Sequence, residues 1–334
     1  MVIAAVGWAV TRDSGGDELS GASITKRRPT TTTTTTTAPA PTTTTAPPTT
    51  TTARPAGTGC TTFPATSYWH DDVSGLAIHP QSGAYVGSIG RDAGVKADFG
   101  AGEWDGGPIG IPVTRVGPGQ QRVPVSFDYA DESDPGPYPI PANAAIEGGP
   151  NSDGDRHILL VDATACRLYE LFDAHPNGDG SWHAGSGAVF DLRTGADRPD
   201  GWTSADAAGL PITPGLVTYD EVAKGRIDHA IRVTVPSTQN RYVWPARHAA
   251  SDDSNPALPP MGLRLRLRRD ADLSGLAPQA RVVAQAMQTY GVIVADNGSA
   301  WYLSGTPDER WDNDDLQTLA TLSGADFEAV AYNK

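Results

Sequence analysis

The chain has 334 residues, 38% of them hydrophobic, and carries 39 acidic against 25 basic side chains, a net charge of −14. No apolar run reaches the 18 or so residues that a spanning helix needs, so no complete transmembrane helix is expected. Two cysteines, Cys60 and Cys166, exclude a disulfide-dense mini-protein and a four-cysteine zinc site.

Residues 1–28 begin with the apolar stretch MVIAAVGWAV, which stops at Thr11-Arg12-Asp13. It reads as the hydrophobic part of a truncated signal peptide or the outer part of a membrane anchor, because a basic leader and a small-residue cleavage site are both missing. Residues 29–59 are almost wholly Thr, Pro and Ala, with eight consecutive threonines at 30–37. With nothing to bury, such a segment cannot offset its ordering entropy, so a disordered, extended linker is expected, a stalk that carries the globular body. The first 59 residues hold five basic and three acidic side chains, which leaves −16 on the remainder. A body so charged repels nucleic acid and anionic lipid.

Residues 60–334 read as one globular, mainly β domain. Val123, Val125, Phe127 and Tyr129 alternate with polar or proline positions, the period of a half-buried strand. His157 to Asp162 is an apolar run, and Arg167 to Phe172 comes after a turn, so the two are expected to pair as a hairpin. Ile227 to Val235 is another strand. Leu263, Leu265 and Leu267 alternate with Arg264, Arg266 and Arg268, and this arginine row is expected to meet acids on a solvated sheet face. Val292–Ala295 and Ser299–Leu303 flank Asp296-Asn297-Gly298, where Asn-Gly favours a tight hairpin. Pro278 to Tyr290 and Asn313 to Leu322 are the two helices, the second capped by Asp312 or Asn313. Many short strands, long Gly/Pro-rich connections and few helices predict a β-sandwich or jelly-roll-like body with appended helices.

The segments GDRHILLVD (154–162), CRLYELFDA (166–174), SGAVFDL (186–192), RPDGWTSADAAGLPITPGL (198–216), YVWPARH (242–248) and ADNGSAWYLSG (295–305) resemble a family of secreted bacterial proteins. The resemblance spans roughly residues 70–330. It implies export and a single domain, and it brings no activity and no catalytic residues.

A glycosidase needs two carboxyl groups, one protonated and one ionised, about 5.5 Å apart for retention or roughly 6.5–9.5 Å for inversion. Candidates near glycines or strand ends are Glu147, Asp153, Asp155, Asp162, Glu170, Asp191 and Asp206. Glu147 precedes Gly148-Gly149, which would let a ligand approach the backbone, and Asp206 lies in a Gly-rich loop with Trp202. These two are the expected acid/base pair, set against the plainer reading of solvated acids on an acidic protein. His229 shares strand parity with Ile231 and Val233 and is expected to tune or relay a proton, or else to be a hydrogen-bonded core residue. Trp202, Trp244, Arg247 and His248 offer the mix of indole faces and polar partners that sugars require, against the alternative of buried aromatic anchors.

No zinc spacing, serine-hydrolase elbow or phosphate loop is present. No cofactor is expected. Ca²⁺ has only incomplete support, from Asn151, Asp153 and Asp155 or from Asn177 and Asp179. Cys60 and Cys166 are expected to form a disulfide in an oxidising compartment, two unrelated thiols being the alternative. The chain therefore reads as a monomeric, extracellular protein, secreted or tethered at the surface by its N-terminus. Its expected role is to act on a polysaccharide or cell-wall glycan as a hydrolase; a non-catalytic glycan-binding module and a structural domain are the rivals.

Overall fold

The computed structural model describes Cys60 and residues 63–332, which belong to one compact unit. The leader at 1–28 and the Thr/Pro linker at 29–59 lie outside the described residues. The architecture is mainly β. A six-stranded sheet runs in the order Lys96–Asp98, Tyr302–Ser304, Ile231–Val235, Val292–Asn297, Arg264–Leu267, Phe327–Ala329. A four-stranded sheet runs Ser186–Asp191, Arg167–Phe172, Ile158–Asp162, Val113–Arg115, and sheets of three and two strands complete the fold. Among the described residues four strand pairs are parallel, including Ile231–Val235 with Val292–Asn297 and Val113–Arg115 with Ile158–Asp162. Those pairs depart from the antiparallel pattern of a jelly roll.

The expected 158–172 hairpin forms, with Asp162 opposite Arg167. Its turn is fixed by the Asp162 carboxylate, which accepts from the Thr164 and Ala165 N–H groups at 3.0 and 2.8 Å. The expected hairpin at Asn297-Gly298 does not form. Strands occupy both flanks, but Ile231–Val235 lies between them, pairing with Val292–Asn297 on one side and with Tyr302–Ser304 on the other. The connecting residues cross over that strand instead of folding back. Trp301, fully buried and stacked on Phe327 at 4.7 Å, anchors the crossing.

The arginine row also differs from expectation. Arg264 and Arg266 are buried, because residues 68–76 cover their side of the sheet. Arg264 donates to the Tyr68 and Tyr290 carbonyls, and Arg266 to those of Val73 and Leu76 and to Glu328. Only Arg268 is exposed, paired with Asp270.

The main core gathers Ile231, Val233, Val235, Val292, Val294, Leu265 and Leu267 of the large sheet with Tyr85, Val86 and Ile89 of helix Ser82–Gly90 and Ala280, Val283 and Met287 of helix Pro278–Thr289. Asp312 caps helix Asn313–Gln317. The first turn of helix Pro278–Thr289 is capped from outside, by the Asp315 carboxylate accepting from Gln279 and Ala280 N–H.

Cys60 and Cys166 form a disulfide, a bond that fits an oxidising, non-cytoplasmic compartment. No helix among the described residues is long and apolar enough to cross a membrane. The bond pins the start of the body to the four-stranded sheet, where Phe63, Leu168, Phe190 and Leu192 pack around it. It closes a loop of 106 residues. Constraining a loop of that size in the unfolded chain stabilises by about 4–5 kcal/mol on the chain-entropy model. Replacing both cysteines by alanine should therefore lower the denaturation midpoint markedly, while a reductant should shift the midpoint of the native chain but not of the variant. Identical midpoints for the two chains would show that this loop closure contributes nothing.

Candidate active-site cleft

The site gathers side chains from the two larger sheets and from the loop 202–212, beginning with the large sheet. Arg232 occupies the second position of Ile231–Val235, a strand whose alternate residues fill the main core. In the register of the sheet, Arg232, Ser304 and Asp98 form one row. The Arg232 guanidinium donates to the Ser304 hydroxyl at 2.8 Å. On the other side, the pairing of Val292–Asn297 slips by one residue after Val294, a β-bulge that places Asp296 opposite Thr234. Regular alternation would send Asp296 to the core face; the extra residue turns it to the Arg232 face, where its carboxylate accepts from Arg232 at 2.8 Å.

The loop 202–212 supplies Asp206. Its backbone is tied to the sheet by Ala208 N–H donating to the Ala295 carbonyl, and internally by the Ser204 hydroxyl. Gly209 has a φ of +70°, and a Cβ there would meet the Trp202 carbonyl at 2.4 Å, so only glycine permits this turn. Asp206 is fully buried and takes two bonds from Arg232, at 2.9 and 3.2 Å.

The four-stranded sheet builds the opposite wall. His157, fully buried, immediately precedes Ile158–Asp162. Its Nδ1 lies 2.5 Å from the Glu147 carboxylate and its Nε2 lies 2.9 Å from the Ala205 carbonyl, beside Asp206. With both ring nitrogens facing oxygen acceptors, the ring is an imidazolium. Burial pulls the His157 pKa down, but the charge and hydrogen bond of Glu147 outweigh this and lift it to about 9. Burial pushes Glu147 up, and the charge and hydrogen bonds of His157, with help from Arg232, reverse that and hold its carboxyl below the usual value. Glu147 is placed by its own N–H donating to the His157 carbonyl. Buried Arg156 clamps the loop after Glu147 through the Pro150 and Ser152 carbonyls. Gly148 and Gly149 serve this turn: both have positive φ, and a Cβ on Gly149 would meet the Gly106 carbonyl at 2.7 Å. They make room for a neighbouring chain segment, which is a different role from the ligand approach expected of them.

Two further carboxyls respond to this cluster. Burial raises Asp98, and the charges of Glu147 and Asp155 raise it further against the pull of Arg232. Burial and the neighbouring Asp206 and Asp155 lift Asp296 to about 6 despite Arg232. Asp98 and Asp155 are solvent-accessible, Glu147 and Asp296 partly so, while Asp206 and Arg232 are sealed beneath. Asp155, Glu147 and His157 present ligand atoms within 4.8 Å of one another, a set able to hold a divalent cation.

Of the residues singled out from the sequence, Glu147 and Asp206 are thus brought near each other by His157, which bonds Glu147 and the Ala205 carbonyl that precedes Asp206. Trp202, Arg247 and His248 surround the same loop as Asp206: a Cβ on Gly209 would meet the side chains of Arg247 and His248. Trp202 is half-buried with Arg198 stacked over it at 5.4 Å. Arg247 pairs with Asp197, and His248 bonds the Ala207 carbonyl and faces Glu132 at 3.8 Å. Trp244 lies elsewhere, stacked on Tyr332 and edge-on to Tyr68. His229 is buried 3.2 Å from Glu221, at the wall of a separate cavity of about 750 Å³ that neither Glu147 nor Asp206 lines. Burial lowers its pKa, and the Glu221 bond raises it by more. Glu170 is buried as an anchor for the loop, accepting from Ile212 and Thr213 N–H. Asp98, Arg232, Asp296 and the role of His157 were not found from the sequence.

No protein-family model, no curated protein and no solved structure matches the chain.

The Glu147–His157 pair makes stability depend on pH in a defined direction. The His157 pKa is raised above its ordinary 6.5, so its contribution is complete below 6.5 and is lost as pH rises through about 9. Its size is on the order of 3 kcal/mol. The native chain should lose stability across that window, and His157→Asn should be flatter there and less stable at neutral pH. Parallel stability curves from pH 6 to 10 would contradict the ion pair.

Proposed function

We propose that this is a secreted or cell-surface carbohydrate-active enzyme, a glycan hydrolase whose cleft works with carboxyl groups in opposite protonation states. The observation that supports this most is the divergence of carboxyls in one electrostatically linked cluster: Glu147 is driven toward the ionised form, Asp98 and Asp296 toward the protonated form. Pairs of titratable groups pushed apart by their surroundings are how one site supplies both an acid and a base. Hydrolysis of a glycosidic bond demands that combination. Glu147, held by His157, is the nucleophile or the base. Asp206 is too deeply buried to touch a sugar and acts on the reaction only by holding Arg232. Trp202, Arg247 and His248, beside the same loop, are suited to a saccharide, with the indole for its C–H face and the polar groups for its hydroxyls. The disulfide and the Thr/Pro-rich composition of residues 29–59 agree with an extracellular setting, and the ligand would be a polysaccharide or cell-wall glycan.

Measuring new reducing ends after incubating the full chain with a panel of wall and plant polysaccharides tests the proposal. Glu147→Gln should reduce turnover at least 100-fold while glycan retention on a binding column persists. Retention by the native chain without any product would instead identify a glycan-binding module, and neither retention nor product would leave a structural domain. Because His157 Nδ1 already bonds Glu147, we also expect a chelator to leave turnover unchanged. Loss of turnover restored by a divalent cation would place a metal on Glu147, Asp155 and His157.

A further inference from the structure

We infer that Trp104 is a sugar-stacking platform beside Glu147, and that the glycan it receives is neutral or carries amino sugars rather than acidic ones. The inference rests on the carbohydrate-active reading above and names where the substrate lies and to which class it belongs. Among the described residues Trp104 is the most exposed large hydrophobic side chain, at 69%. It makes no ring contact, cation–π pair or side-chain hydrogen bond among them, so its indole is left facing water, an unfavourable place for so large an apolar surface. Its backbone is nonetheless firmly placed. Strand Glu103–Trp104 pairs antiparallel with Gly107–Pro108. Asp105 and Gly106 join the two with φ of +52° and +87°, the pair of positive values that a two-residue hairpin turn requires. At the base of the hairpin Gly100 N–H donates to the Ile109 carbonyl at 3.1 Å. The Asn313 side chain clips Ala101 there, accepting from its N–H at 2.9 Å and donating to its carbonyl at 3.0 Å.

Strand register sets the face on which the indole stands. Trp104 lies opposite Gly107, and directly opposed residues of an antiparallel pair project from the same face. That face meets the turn after Glu147: a Cβ on Gly107 would overlap the Gly148 carbonyl carbon and lie 2.5 Å from the Gly149 nitrogen. From the other side, a Cβ on Gly149 would meet the Gly106 carbonyl at 2.7 Å. Glycine at both positions lets the two backbones touch, so Trp104 and Glu147 are carried by segments in direct contact. An indole held there offers its flat apolar face to the C–H face of a sugar ring. The surrounding charge narrows the choice of sugar. Glu103 and Asp105 flank Trp104, and Asp153 and Asp155 stand on the loop after Gly149. All four are exposed, and none forms an ion pair among the described residues. A polyanionic glycan would meet uncompensated negative charge at this rim. Sugar hydroxyls and ammonium groups would instead find acceptors in the same carboxylates.

The experiment measures column retention and hydrolysis of neutral laminarin, mannan and chitin, of cationic chitosan and of anionic polygalacturonate. It compares the native full chain with Trp104→Ala and Trp104→Phe. With no bond or ring contact to lose, both variants should keep the native melting temperature. On the neutral or amino glycan that the native chain processes, Trp104→Ala should raise KM about tenfold and change kcat less than about twofold, the pattern of binding lost equally from ground and transition states. Trp104→Phe should recover part of that loss. Polygalacturonate should be neither retained nor cleaved by the native chain, and Glu103→Gln combined with Asp105→Asn should raise its retention. A KM unchanged in Trp104→Ala, or a native preference for polygalacturonate, would overturn the inference and leave the hydrolase standing. Retention without turnover, weakened by Trp104→Ala, would uphold the platform and overturn the hydrolase. A native chain that neither retains nor cleaves any of these glycans would overturn both.

Discussion

The cleft depends on one buried guanidinium. Arg232 holds the fully buried Asp206, the bulge-turned Asp296 and Ser304 at once, and so ties the 202–212 loop to two neighbouring strands. Removing it would leave the Asp206 charge uncompensated in the interior, which typically costs about 3–5 kcal/mol. Yet an apolar cluster of the same volume would hold the strands together as well or better. Stability alone therefore does not account for an arginine here. What the arginine does supply is fixed charge under a row of accessible carboxyls.

Each wall of the cleft contributes one half of the electrostatic contrast. On the four-stranded side, His157 is locked between Glu147 and the Ala205 carbonyl, and its positive charge favours the Glu147 carboxylate. On the six-stranded side, Asp98 stands at the end of an edge strand, where burial first and then the charges of Glu147 and Asp155 raise its pKa against the pull of Arg232. Both groups are set by strands or strand ends, which hold a geometry more firmly than free loops do. The disulfide and the Phe63 cluster brace the four-stranded sheet, whose strand Ile158–Asp162 follows His157 directly.

Much of the local structure was legible in the sequence. The 158–172 hairpin, the Leu/Arg strand at 264–267 and helix Pro278–Thr289 emerge from alternation, a turn and a 3.6-residue period. Pairing between distant segments was not legible. The Asn297-Gly298 dipeptide permits a tight turn but does not compel one, and the partner strand that separates its flanks comes from some 60 residues earlier. The site was half legible. Glu147, Asp206, Trp202, Arg247 and His248 were chosen for residue type and do assemble around one loop. Arg232 was hidden because a charged residue alternating with Ile231, Val233 and Val235 looks like the wet face of a strand. Asp296 looked like a turn residue until the bulge redirected it. His157 and His229 give equal signals in one dimension, since each adjoins an apolar strand, and only the fold decides which of them meets Glu147.

Carboxyl-carbon NMR titration of the full chain, with assignments from Glu147→Gln and Asp98→Asn, tests the central claim most directly because it needs no substrate. The account predicts that Glu147 titrates below the ordinary glutamate midpoint and Asp98 above the ordinary aspartate midpoint. A Glu147 midpoint at or above the ordinary glutamate value, or an Asp98 midpoint at or below the ordinary aspartate value, would contradict it.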